Sequence, residues 1–236
     1  MPAEVERLTR VVRDFRPDVI IADPMAYAAP IVAAHAQLPW AGLSTSLNPV
    51  VPDSWHSALI ATTSALPRAA LFAAHGVAPP RFRVSDCLSP WLNVAWTTAA
   101  LIGHEVPDVL LAGASLPLDA RGDEVEALAL DERPLVLMAL GSQIWHQPRM
   151  FEVVISASLG QPWQLLLAMG ELARTFAAPP DVRTVAYAPQ LALLPRACAF
   201  VSHGGANSVM EALAHGVPLL VSPICNDQPH NARFVV

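Results

Sequence analysis

Ala199-Phe-Val-Ser-His203-Gly-Gly-Ala-Asn207-Ser208-Val-Met-Glu211-Ala-Leu-Ala-His-Gly216-Val-Pro-Leu-Leu-Val-Ser-Pro-Ile-Cys-Asn-Asp227-Gln228-Pro-His-Asn231 is the stretch on which the reading of the chain turns. The apolar run Ala199 to Val201 predicts a buried strand. His203-Gly204-Gly205 predicts a tight turn, where backbone can approach a ligand closely. A helix is expected from Ala206, burying Val209, Met210 and Leu213 at helical spacing and stopping at Gly216. A second buried strand, Val217 to Ser222, follows. Strand, turn, helix and strand make a βαβ unit. The helix start offers unpaired N–H groups and a positive dipole end, which together suit an anion. His203, Asn207 and Ser208 surround that end, and Glu211 lies one turn further on, at i+4 from Asn207.

Bulk composition limits the alternatives. The chain has 236 residues, 53% of them hydrophobic and 14% charged, so material for a core is ample. Net charge is −6 and the 14 basic residues are all Arg, with no basic cluster. Nucleic acid and anionic membrane are therefore poor partners. Cys87, Cys198 and Cys225 are dispersed, odd in number and without a C-x-x-C pattern, which argues against a metal or disulfide role and for a reducing compartment. No transmembrane segment is expected, because the apolar stretch 58–74 is interrupted by Pro67 and Arg68 and is short of ~20 residues. A cytoplasmic protein is the expectation, with peripheral membrane contact left open.

Working back to the amino end, residues 3–15 predict a helix with Val5, Leu8, Val11, Val12 and Phe15 on one stripe. Residues 18–22 read as a parallel strand buried on both faces, and Asp23 stands at its carboxyl end, where α/β sheets gather ligands. Asp23 would equally suit the cap of a helix starting near Ala26. Helix 27–37 and strand 41–44 follow, then an irregular Pro-rich region to Arg83. Further strands are expected over 92–101 and 109–112. The polar run from Asp119 to Glu132 has the composition of a linker. The pattern then restarts, with strands over 135–140, 164–169 and 182–186, a helix over 150–159, and loops at Gly141-Ser142-Gln143 and Tyr187-Ala188-Pro189-Gln190. The expected organisation is a domain over 1–118, a linker over 119–132 and a second domain over 133–236, both α/β with parallel sheets.

Tyr187-Ala188-Pro189-Gln190, then His203-Gly-Gly-Ala-Asn207-Ser208-x-x-Glu211, Gly216-Val-Pro and Asp227-Gln228, resemble the donor-binding signature of the UDP-glycosyltransferase superfamily. That superfamily includes bacterial macrolide and carotenoid glycosyltransferases. The spacing agrees without gaps from His203 to Glu211. The resemblance implies the GT-B fold, two Rossmann-like domains with the nucleotide sugar held mainly by the second. It implies that Tyr187, where many relatives carry Trp, stacks on the base, and that Ala188 and Gln190 serve base and ribose. Glu211 would accept from ribose hydroxyls. His203, Gly205, Asn207, Ser208 and Ser142 would hold the diphosphate, and Asp227 and Gln228 the sugar. The implied donor is a UDP- or TDP-sugar, with no cofactor and no metal. The implied reaction is inverting transfer of a hexose to a hydroxyl of a small acceptor; Trp40, Trp55, Trp91, Trp96 and Phe72 would suit a lipophilic one and would equally suit a core.

The resemblance also marks departures. Relatives have a general-base His roughly a hundred residues before the Asp that orients it. Asp23 matches that Asp, but only 22 residues precede it and none is His. Relatives also continue past Asp-Gln-x-x-Asn. The expectation is a chain truncated at both ends, with an exposed apolar sheet edge, poor solubility and no turnover by itself. Two other readings remain: a GT-B enzyme of lipid-linked cell-wall synthesis, and an inactive nucleotide-sugar-binding protein lacking the base. A dehydrogenase is disfavoured, since no G-x-G-x-x-G follows a strand.

Overall fold

The structure is a computed structural model that describes residues 2–55, 67–116, 123–126, 128–143 and 146–236. The chain forms two compact units, Met1–Gly113 and Ala114–Val236. Residues 119–122 and 127 of the polar run expected as a linker, and 58–66 of the apolar stretch, lie outside the described residues.

In the first unit, helix α1 (Pro2–Phe15) precedes strand β1 (Ile20–Ala22), α2 (Ala28–Ala36) and β2 (Trp40–Ser44). Residues 67–74 are helical (α3), and a hairpin of β3 (Arg81–Arg83) and β4 (Asp86–Leu88) leads to β5 (Leu92–Ala95), α4 (Ala99–Ile102) and β6 (Leu110–Leu111). The order β1-β2-β5-β6 is parallel throughout. The strand expected over 92–101 stops at Ala95. Thr98 takes an extended conformation and its side chain accepts from the Leu101 N–H, which starts a helix instead.

Val5 and, behind it, Leu8 and Val12 pack on Ile20, Ile31, Trp40 and Phe72. The rest of the expected α1 stripe does not follow them inward: Val11 and Phe15 are exposed, as is Ile21 of β1 (64%). Among the described residues β1 pairs only with β2, so this side of the sheet presents an unpaired edge with apolar side chains around it.

The second unit contains α5 (Asp123–Glu126), β7 (Leu135–Ala139), α6 (Pro148–Ser158), β8 (Gln164–Ala168), β9 (Val182–Val185) and α7 (Gln190–Leu193). It continues with β10 (Ala197–Ser202), α8 (Ala206–Ala214), β11 (Leu219–Val221) and α9 (Gln228–Phe234). Its parallel sheet runs β11-β10-β7-β8-β9. The continuous apolar character of β7 follows from burial on both faces. Leu135, Leu137 and Ala139 join Phe200, Leu193 and Ala212 on one side, while Met138 and Leu140 join Phe151, Ile155 and Val201 on the other. Helix α8 buries Val209, Met210 and Ala212, whereas Leu213, expected inside, is exposed.

Counting only this unit, β7 is the first strand and the spatial order is third, second, first, fourth, fifth. The order reverses between β7 and β10. In doubly wound sheets the ligand crevice opens at that reversal, outside the carboxyl ends of the strands.

Candidate functional site

Because all five strands of the second unit are parallel, their carboxyl ends share one edge, and the loops that leave it carry the residues singled out by sequence. Gly141 and Ser142 follow β7, Tyr187 to Gln190 follow β9, His203 to Gly205 follow β10, and Asp227 and Gln228 lie beyond β11. The reversal point lies between the first and third of these loops, and His203 fills it. A side chain on Gly141 would place its Cβ 2.8 Å from His203 Nε2, and one on Gly205 would come to 2.6 Å. The imidazole is thus bounded by two glycine backbones, and only glycine leaves room for it. His203 is 9% exposed. Burial lowers its pKa, with the charge of Asp227 and the Ala139 carbonyl acting in the opposite direction.

This shift has a measurable consequence. The neutral imidazole is favoured in the folded chain, while the unfolded chain takes up a proton near pH ~6.5. Unfolding therefore binds more protons as pH falls, so stability contributed by His203 is lost as pH drops through ~6.5, and the loss ends below the lowered folded value. Urea unfolding at pH 8 and pH 5.5 should show a smaller pH dependence for His203→Gln than for the wild type. Equal dependence would refute the assignment.

Helix α8 begins directly after this turn. Its N-cap is Gly205, with no side-chain cap bond, so the first N–H groups are left for an external acceptor. Asn207 is exposed in the first turn and Ser208 is half-buried. Gln190 Nε2 donates to Glu211 Oε2 at 2.5 Å and reaches Ser208 Oγ at 3.3 Å, so these three side chains form one cluster. Burial raises the Glu211 pKa, and the Gln190 hydrogen bond and His215 partly offset it. Ala188 is buried, whereas Tyr187 is 76% exposed and presents an open ring. Ser142 is exposed.

Gln228 is buried, and its Oε1 accepts from the Ile224 and Cys225 N–H groups at 2.8 and 2.9 Å, closing the loop before α9. Asp227 Oδ2 accepts from Asn231 Nδ2 at 2.8 Å. Asn231 Nδ2 also donates to the Gly204 carbonyl at 2.8 Å, and Ser202 Oγ accepts from the Gly204 N–H at 3.1 Å. Sequence reading missed Ser202 and Asn231. The available signal was the i+4 spacing of Asn231 from Asp227, the residue that precedes a helix not expected there, α9.

Asp23 belongs to the first unit, at the carboxyl end of β1. It does not cap a helix: α2 starts at Ala28, and the Asp23 carboxylate accepts from the Met25 N–H (2.8 Å) and the Thr45 hydroxyl (2.9 Å). Next to Thr45, Ser44 and Asn48 donate to a second acid that the sequence did not flag. Asp86 is 1% exposed and takes Ser44 Oγ at 2.6 Å and Asn48 Nδ2 at 2.8 Å, with Ser85 and Ser46 at 3.2 and 3.4 Å. Burial raises its pKa against the pull of those donors. A pocket of about 920 Å³ in the same unit is lined by Trp40, Leu92 and Leu110, the first residues of β2, β5 and β6. It therefore opens at the opposite strand ends from Asp23.

Among the described residues no three His, Cys, Asp or Glu are grouped to hold a metal ion, and no helix is long and apolar enough to cross a membrane.

Comparison with known proteins places the family and the fold. Residues 110–236 match the family described as UDP-glucoronosyl and UDP-glucosyl transferase, and residues 3–127 match the erythromycin biosynthesis protein CIII-like N-terminal domain. The elloramycin glycosyltransferase of Streptomyces olivaceus is 30% identical over 236 residues, covering 98% of this chain and 58% of its own length. The L-demethylnoviosyl transferase of Streptomyces niveus is 28% identical, covering 93% of this chain and 56% of its own length. The chain thus spans little more than half of these relatives. Among solved structures, the kitacinnamycin glycosyltransferase superposes with a TM-score of 0.74 at 24% identity, over 98% of this chain and 64% of that one. The calicheamicin glycosyltransferase CalG4 gives 0.71 at 21%, over 98% of this chain and 63% of that one. The fold is GT-B. With both halves matched, the chain belongs to the UDP-glucoronosyl and UDP-glucosyl transferase family, as a family 1 glycosyltransferase of the macrolide type.

Proposed function

We propose that the second unit binds a UDP- or TDP-sugar, and that the protein transfers the hexose, with inversion, to a hydroxyl of a small acceptor. The observation that carries this reading is the His203 imidazole held between Gly141 and Gly205 at the strand-order reversal, beside the uncapped start of α8. Neutral donors converging there suit a diphosphate and stabilise the charge that develops on it as the sugar leaves. His203, Gly205, Asn207, Ser208 and Ser142 would receive the phosphates. Tyr187 offers a face to the pyrimidine, Ala188 its backbone, and Gln190 and Glu211 their polar groups to base and ribose. Asp227 and Gln228 would meet the sugar hydroxyls. Solved structures of the same fold include the Streptomyces sp. SF2575 glycosyltransferase SsfS6 complexed with thymidine diphosphate and Os79 of O. sativa in complex with UDP, ligands of the class proposed here.

Asp23, its carboxylate set by Met25 and Thr45, would orient the general-base His that relatives carry well before it, a residue the 22 positions preceding Asp23 do not include. No metal or cofactor is required in this reading. The protein would work in the cytoplasm, on a nucleotide sugar and a small acceptor rather than on nucleic acid.

Isothermal titration of UDP and dTDP tests the proposal. Gly205→Ala keeps an ordinary backbone conformation (φ −61) but drives its Cβ to 2.6 Å from Nε2 of the imidazole, a ring that Gly141 also crowds. It should weaken binding about tenfold, the worth of roughly one charge-assisted hydrogen bond. Binding of neither nucleotide, or equal binding by the variant, would count against the reading.

A further inference from the structure

We propose that Asn231 is a positioning residue that registers the sugar end of the donor site on its phosphate turn. The inference rests on the nucleotide-sugar reading above and extends it to a residue with no assigned role.

Asn231 lies on α9, is fully buried, and uses both hydrogens of one amide nitrogen. One goes to the Gly204 carbonyl and the other to Asp227 Oδ2, each at 2.8 Å. Both partners are pure acceptors, so only an amide NH₂ facing them satisfies the pair. An Asp would set a third acceptor against two, and an apolar residue would leave both unpaired. The Asn231 Oδ1 atom is itself buried without a hydrogen-bond partner. Turning the amide over would set Oδ1 against these two acceptors and break both contacts, so the geometry fixes the orientation.

What Asn231 joins are the two ends of the site. Gly204 carries the turn between β10 and α8. Its φ of +85 and the closeness of Val221 Cγ1, 2.7 Å from any added Cβ, confine the position to glycine. With its N–H on Ser202 Oγ and its carbonyl on Asn231, this residue has both backbone polar groups committed. At the other end, Gln228 closes the loop after β11 through the Ile224 and Cys225 N–H groups, so the remaining freedom there is rotation of the Asp227 side chain. Asn231 removes that rotation by holding Oδ2. Among the described residues no donor reaches Asp227 Oδ1, which is left for a sugar hydroxyl. Asp227 would therefore present its acceptor at a fixed offset from the turn that meets the phosphates, and one buried amide sets that offset.

The test separates a positioning role from general loosening. UDP against UDP-glucose, and dTDP against dTDP-glucose, are titrated calorimetrically into the 236-residue chain as wild type, Asn231→Ala, Asp227→Ala and the double variant, with folding checked by thermal melting. A purely structural loss at Gly204 lowers nucleotide and nucleotide-sugar affinity together and leaves the ratio of the two Kd values unchanged. Positioning of Asp227 predicts that the ratio moves against the sugar nucleotide by about tenfold in Asn231→Ala. Asp227→Ala should move it equally, and the double variant should add nothing. If Asn231→Ala does not fold, Asn231→Ser, which keeps a donor for one acceptor but not both, is read by the same ratio. An unchanged ratio in a folded variant, or additive losses, would overturn the inference while the donor reading stands. A wild-type chain that binds none of the four compounds would overturn the donor reading and this inference with it.

Discussion

Replacing Glu211 with Ala lowers UDP affinity by about 10- to 100-fold, the range expected when a half-buried carboxylate loses a ligand hydroxyl bonded to it. The carboxylate is not a solvated helix charge. It is half-buried, its pKa is raised by that burial, and Gln190 holds one oxygen at 2.5 Å. A carboxylate kept partly dry gains most from a hydroxyl donor supplied by a ligand, since water competes less for it. Removing it also frees Gln190, which among the described residues would then have Ser208 Oγ within reach. Glu211→Gln keeps the shape but weakens the acceptor and should fall between wild type and Ala. The affinity of the wild type should also decrease as pH falls through the raised Glu211 pKa, because the protonated acid is a poorer acceptor. Calorimetric titration at neutral pH decides the matter: equal UDP affinity for wild type and Glu211→Ala would remove Glu211 from the site.

Asp86→Ala should destabilise the first unit by about 3 kcal/mol, the cost of leaving several buried donors without their acceptor. Ser44, Asn48, Ser85 and Ser46 all point donors at this one carboxylate, and the Asp86 residue is 1% exposed, so water is poorly placed to replace it. These bonds tie the carboxyl end of β2 to the start of β4. Thr45, whose hydroxyl holds Asp23, lies between two of the donors, Ser44 and Ser46. Loss of Asp86 should therefore loosen Asp23 as well as lower the urea midpoint. Asp86→Asn, which keeps one acceptor oxygen, should cost less. A midpoint for Asp86→Ala within experimental scatter of the wild type would show that the cluster contributes little.

The sequence by itself determined the local units and their chemistry. Apolar runs over 135–140 and 199–201 predicted strands because burial on both faces leaves no polar position in them. His203-Gly204-Gly205 predicted the turn and Ala206 the helix start, since glycine conformations and helix caps are set by near neighbours. Where the sequence missed, local signals were faint or absent. The strand expected to continue through Thr98 gave way to a one-turn helix, and the stripe on α1 divided, with Val5 and Val12 inward and Val11 and Phe15 outward. Tertiary structure alone decided which polar groups meet. The donors Ser44 and Asn48 lie 42 and 38 residues from Asp86 in the chain, and Asn231 reaches Gly204 across 27. It also decided that β10 lies beside β7. That pairing sets Gly141 against the His203 ring and gives both a common crevice. Spacing along a chain reports neighbours within a turn or two, whereas such contacts depend on strand order and crossover paths, which are fixed only when the sheet closes its hydrogen bonds.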